Sequence, residues 1–145
     1  MDSMFKNNLS KTPAIRSIIL IRLMVSVVFI SEGIQKFLFP ADRGAGRFQK
    51  IGLPNSEFLG PFVGSIEVIC GLLVLIGLFT RLAVIPLIII MLMAIAITKI
   101  EILQQEGFWE MMHASRTDLS MLLACLFLMK LGGGKWSADY QLNRR

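Results

Sequence analysis

The chain has 145 residues, 54% of them apolar and 17% charged, with 15 Lys and Arg against 10 Asp and Glu. So much Leu, Ile, Val, Met and Phe exceeds what a soluble domain of this length can hide, and it excludes a disordered chain. The net charge of +5 comes without a basic patch on a polar face, so nucleic acid is not an expected partner. Two cysteines are too few for a disulfide framework or a structural zinc site.

In chain order, the apolar residues fall into four runs, at about residues 17–39, 61–79, 82–98 and 117–134. Each is close to the roughly 17–25 residues that cross about 30 Å of hydrocarbon. The first run carries Arg22, Glu32 and Lys36, the second only Glu67, and the third no charge. The fourth contains Lys130 and reaches spanning length when its helix begins at Thr117 or Asp118, either of which can cap a first turn. The second and third runs lack the polar face of a soluble amphipathic helix. Lys6, Lys11 and Arg16 precede the first run as a signal peptide's basic segment would, but no small-x-small site follows, so this run reads as an uncleaved span. The expectation is one all-α domain over residues 1–145, an integral membrane four-helix bundle.

Basic residues orient it. With both termini inside, Lys6, Lys11, Arg16, Arg81, Lys135, Arg144 and Arg145 lie on the inner side, against Arg43, Arg47, Lys50, Lys99 and Arg116 outside. That favours N-in/C-in in a cytoplasmic membrane. Thr80-Arg81 reads as a tight turn that makes the second and third spans antiparallel neighbours. Residues 40–60, with Gly44, Gly46, Gly52, Pro54 and Asn55, read as turns around one short helical piece. Residues 100–115 mix Ile100, Leu103, Phe108 and Met111 with Glu101, Glu106 and Glu110, as an interfacial helix does, with Trp109 at head-group level.

Ionisable residues inside spans are costly and usually face protein or water. At about 1.5 Å per residue, Lys36 lies roughly 5 Å and Glu32 roughly 10 Å from the outer end of the first span, and Glu67 lies roughly 9 Å into the second. Lys99 closes the third span on that side, and Arg116 and Asp118 open the fourth there. Glu32, Lys36, Glu67, Lys99, Arg116 and Asp118 therefore fall at one end of the bundle, three of each sign. Glu32 and Lys36 also stand as an i,i+4 pair. Such a cluster either locks helices in register or forms a site; the two mid-leaflet carboxylates favour a site. Arg22 and Lys130 read as snorkelling side chains. Gly60, Gly64 and Gly71 share a helical face suited to close helix approach. Cys70 and Cys125 read as buried and inert, a redox pair being the alternative. His113 is the only histidine, so bis-His haem within one chain is excluded, and no metal site is expected.

An ordered series of segments resembles the DoxX family of small four-helix membrane proteins. It comprises Glu32-Gly33-Ile34-Gln35-Lys36-Phe37, Gly46-Arg47-Phe48, Gly52-Leu53-Pro54, Gly64-Ser65-Ile66-Glu67 and Gly77-Leu78-Phe79-Thr80-Arg81. Thr98-Lys99, Arg116-Thr117-Asp118 and Gly132-Gly133-Gly134-Lys135-Trp136-Ser137-Ala138-Asp139 complete it, over about residues 16–140. The resemblance implies a membrane subunit associated with quinol oxidase or thiosulfate:quinone oxidoreductase, or a member of an oxidative-stress complex; distant relatives include membrane chaperones.

The first expectation is therefore a subunit of a quinone-linked redox system without a metal, haem or covalent cofactor of its own. Glu32 or Glu67 would exchange protons with a quinone or quinol, while Lys99 or Arg116 would hydrogen-bond a carbonyl or developing anion. A non-catalytic scaffold, recruiting a membrane or peripheral protein partner or a second copy of itself, is the alternative. A small proton-coupled transporter is a third reading, weakened by the absence of broken helices or an inverted repeat.

Overall fold

The computed structural model describes residues 13–143, so Lys6, Lys11, Arg144 and Arg145 lie outside the described residues. Every regular element among the described residues is helical. The long helices are α1 (Ile18–Leu38), α3 (Ser56–Ile76), α4 (Thr80–Ala94) and α6 (Phe108–Leu131). Short helices are α2 (Ala45–Lys50), α5 (Ile100–Gln105) and α7 (Ala138–Leu142). A π-helical turn, Ile95–Lys99, joins α4 to α5 without interruption.

Among the described residues, three helices are long and apolar enough to cross a membrane: Ile18–Leu38, Ser56–Ile76 and the continuous Thr80–Gln105. Outward-facing Leu20, Val27, Ile69, Ile76, Ile89 and Leu92 remain exposed, an apolar surface suited to lipid. Helix α6 is more polar, with Arg116, Asp118 and Lys130 between Ala114 and Leu131. Contacts run from α1 to α3, α3 to α4, α4 to α6 and α6 back to α1. Val25, Phe29, Val74, Val84, Leu87, Cys125 and Leu128 fill the centre.

The helix bounds depart from the expected runs in three places. The second run expected at 61–79 is a helix that starts earlier, at Ser56, and stops at Ile76. Pro61 stands in its second turn, and the Ser65 hydroxyl donates to the Pro61 carbonyl at 2.8 Å. The tight turn expected at Thr80-Arg81 lies instead at Gly77 and Phe79, with φ of 74° and 48°, and Thr80 already begins α4. A left-handed Gly77 ends α3 at no steric cost, whereas Phe79 needs an outside partner to hold it there. The separate interfacial helix expected over residues 100–115 does not exist. Residues 100–105 extend α4, Gly107 at φ 95° makes the break, and α6 then runs unbroken from Phe108. No Gly or Pro interrupts residues 108–131, so nothing divides the fourth run from the segment before it.

Glycines set the α1–α3 crossing. A Cβ at Gly33 would sit 2.7 Å from the Gly64 carbonyl oxygen, and one at Gly71 would meet the Ile30 side chain at 2.8 Å. Backbone-to-backbone contact of this kind leaves no room for a methyl group. Gly33→Ala is expected to cost about 1–3 kcal/mol. Chemical unfolding in detergent checks this; stability equal to wild type would mean that the helices can part without loss.

Candidate functional site

A cavity of about 720 Å³ forms a fissure between α3 and α4, with α1, α6 and the α1–α3 connection also contributing to its lining. Its walls are apolar, with Phe62, Val63 and Ile66 from α3 and Ile89, Ile90 and Met93 from α4. Phe62, Ile89 and Met93 are also exposed on the outer surface, so the fissure reaches the face expected to meet lipid.

Charged side chains from several elements also line this cavity. Glu32, Lys36, Glu67 and Asp118 all line the cavity, joined by Arg43 and Arg47 from the α1–α3 connection. The Lys36 ammonium lies 2.6 Å from Glu67 Oε2, and the Glu67 side chain is only 3% exposed. This replaces the Glu32–Lys36 pair expected from spacing. Gly64 explains the choice: a Cβ there would lie 3.2 Å from the Lys36 Cβ, so its absence lets Lys36 lie across α3 toward Glu67, one turn further on. Lys36 reaches the Glu32 residue only at its backbone carbonyl, at 3.4 Å. Apart from the ammonium, Glu67 Oε2 meets no hydrogen-bond donor among the described residues. Its electrostatic neighbours are Lys36, Glu32 and Arg47.

Lys99 does not line the cavity but holds Asp118, which does, at 3.1 Å. The π-helical turn makes this contact: one extra residue per turn rotates everything beyond it, and Lys99 is its last residue. Arg116 leaves the set. It is exposed on α6, with Nη1 3.1 Å from His113 Nε2, and lines no part of the cavity. Of the cations Lys36, Lys99 and Arg116 expected at this end, Lys36 is the one that lines the cavity. Charge distribution along the sequence uses Arg43 and Arg47 only for orientation; the Gly46-Arg47-Phe48 segment is the sequence signal for Arg47.

Arg22 is the other departure. Rather than snorkelling, it is 2% exposed at the opposite end of the helices. Its Nε donates to the Val74 carbonyl at 2.9 Å and its Nη2 to that of Leu75. Nη1 donates to the carbonyls of Gly133, at 3.1 Å, and Trp136, at 2.7 Å. Val74 and Leu75 lie in the last turn of α3, whose carbonyls have no partner within the helix. Asp139 completes the joint. Its carboxylate accepts from the Phe79 and Thr80 amides at 2.8 and 3.0 Å, and its own amide donates to the Gly77 carbonyl at 3.0 Å. That is the outside partner which holds Phe79 left-handed and caps α4. Gly77 and Gly133 admit Ser137 at distances that exclude a side chain. Asp139→Ala is expected to cost about 1–2 kcal/mol, since it removes a charged cap from one buried and one part-buried amide. An unfolding curve equal to wild type would show that the tail merely rests on the turn.

Cys70 and Cys125 are both buried and unbridged within the apolar core. Among the described residues, no three His, Cys, Asp or Glu side chains are grouped to hold a metal ion.

Comparison with known proteins places the chain. The sequence pattern of the DoxX family matches residues 17–100. An uncharacterised membrane protein of Mycobacterium tuberculosis (strain ATCC 25618 / H37Rv) is 52% identical over 135 residues, covering 89% of this chain and 83% of that protein. No solved structure matches. The matched region contains the Gly33–Gly64 crossing, the Lys36–Glu67 pair and the α3–α4 fissure, and on these grounds the chain belongs to the DoxX family of membrane proteins.

Proposed function

We propose that the protein is a four-span, N-in/C-in bundle in the bacterial inner membrane and acts as a subunit of a quinone-linked oxidoreductase or oxidative-stress complex. The observation that carries this reading is the cavity itself: apolar walls open toward lipid, ending in a buried Lys36–Glu67 pair. A lipid-soluble carrier with a polar head needs that combination, an apolar path with a few convergent polar groups at its end.

When bound, a quinone supplies two-electron, two-proton carrier chemistry. The chain's own residues bind and move protons. Lys36 donates a hydrogen bond to a head-group carbonyl, and Glu67, whose Oε2 has no other donor among the described residues, exchanges a proton with the head. Glu32, half-buried and without an ion pair among the described residues, passes the proton toward the α2 end. The walls exclude water, which strengthens each of these contacts. Electrons come from a protein partner.

The test uses the purified full-length chain in lipid nanodiscs and a short-chain ubiquinone. Saturable binding is expected, weakened roughly 10- to 100-fold in Glu67→Gln by loss of a charge-assisted hydrogen bond. Lipid-extracted protein with no quinone affinity, together with a stoichiometric partner recovered from native membranes, would replace this reading with the scaffold.

A further inference from the structure

We propose that Arg43 and Arg47 form a binding site for the phosphate of an anionic membrane phospholipid, with an acyl chain in the α3–α4 fissure. The proposal does not rest on the quinone reading, although both ligands would place an apolar tail in the same fissure and so compete for it.

The charge inventory around the cavity points there. Lys36 is committed to Glu67, at 2.6 Å, and Lys99 to Asp118, at 3.1 Å. Asp42, beside Arg43 in sequence, faces Lys50 instead, at 3.9 Å. Arg43 and Arg47 line the cavity and enter none of these ion pairs, while Glu32 is the one lining carboxylate outside them. Two guanidinium groups against one carboxylate leave the mouth with an uncompensated positive charge. Both arginines are exposed, so the groups that would meet an incoming head are already at the surface.

Their positions are set by backbone, not by chance. A Cβ at Gly44 would sit 2.5 Å from the Lys36 carbonyl oxygen, and one at Gly60 would sit 2.6 Å from the Ala45 nitrogen. The segment carrying Arg43 and Arg47 is thereby pressed against the end of α1 and the start of α3. The Arg43 amide donates to the Phe39 carbonyl at 2.9 Å and the Gly46 amide to that of Pro40 at 2.9 Å, which closes the turn around them. The guanidinium groups are thus presented where two apolar helices end, the level of lipid head groups. Guanidinium is the side chain suited to a phosphate, because its planar fork makes paired, charge-assisted hydrogen bonds.

The tail follows from the same cavity. Leu59, Phe62, Ile89 and Met93 continue from the arginines down the fissure, and three of them remain exposed to the lipid side. A soluble anion would use the arginines and leave that wall bare. A phospholipid occupies both and arrives laterally from the bilayer.

Native mass spectrometry of the full-length protein, released from mixed micelles of phosphatidylglycerol or phosphatidylcholine, tests this. Wild type is expected to retain phosphatidylglycerol in preference. In R43Q/R47Q that preference should fall roughly 30-fold, the worth of two basic residues at an anionic surface. R43K/R47K keeps the charge without the fork and should lie between, which also serves if the glutamine variant folds poorly. Glycerol phosphate, a head without a tail, should not displace the lipid. Equal retention of the two lipids by wild type, undiminished preference in R43Q/R47Q, or displacement by glycerol phosphate would each overturn the proposal. Quinone binding is measured separately, so its failure leaves this result standing, and the reverse holds too.

Discussion

Arg22→Leu is expected to cost about 3–5 kcal/mol. The guanidinium serves four carbonyls, at Val74, Leu75, Gly133 and Trp136, and is itself only 2% exposed. Leucine is shorter and carries no donors, so these carbonyls lose their side-chain partner where water has little access. Arg22→Lys should recover little, because an ammonium cannot present a planar fork to acceptors on two different segments. The damage would also spread. Asp139, the charge that faces Arg22, caps the start of α4, so loosening the tail frees the left-handed turn at Gly77 and Phe79. Unfolding in detergent, followed by circular dichroism, gives the measurement. A loss under about 1 kcal/mol would mean that the buried hydrogen bonds contribute little net stability.

The Lys36–Glu67 pair should show a marked asymmetry. Lys36→Met strands a carboxylate that is 3% exposed and is expected to cost about 3–5 kcal/mol. Glu67→Gln leaves an ammonium at 11% exposure on a flexible stem near the end of α1, so it can bend outward. The expected cost there is about 1–2 kcal/mol. Removing both charges, in Lys36→Met with Glu67→Leu, should restore stability to within about 1 kcal/mol of wild type, since neither desolvated charge remains. The same double variant should abolish quinone binding. Stability and ligand binding thereby separate. A double variant as unstable as Lys36→Met alone would show that the pair holds the helices together, as the scaffold reading requires.

Much of the site was legible before the fold was known. A carboxylate inside an apolar run must find a partner or a polar cavity, and rise per residue alone brought Glu32, Lys36 and Glu67 to a similar depth. Depth is one coordinate, however, and azimuth around each helix is another. Arg116 has the right depth and the wrong azimuth: α6 turns it outward beside His113, while Asp118, two residues on, faces the cavity. Partner choice also escaped local rules. The i,i+4 spacing favoured Glu32 for Lys36, yet the missing side chain at Gly64 gave the ammonium a shorter path to Glu67 on another helix.

The sequence by itself determined that this is a helical membrane protein, because apolar runs of spanning length follow from composition and order alone. Family membership was equally legible in the ordered motifs. Only the tertiary structure decided what those motifs do. Gly77-Leu78-Phe79-Thr80-Arg81 and the tail around Gly133 and Asp139 are far apart in the chain, and each leaves backbone groups that its own segment cannot satisfy. Arg22 and Asp139 satisfy them across the fold. It also moved Arg22 from the membrane surface to the interior, since a single arginine in an apolar run looks the same whether it bends toward water or finds four carbonyls. Periodicity reports which residues avoid water; which polar groups meet depends on how closely the helices cross, and here Gly33 and Gly64 set that distance.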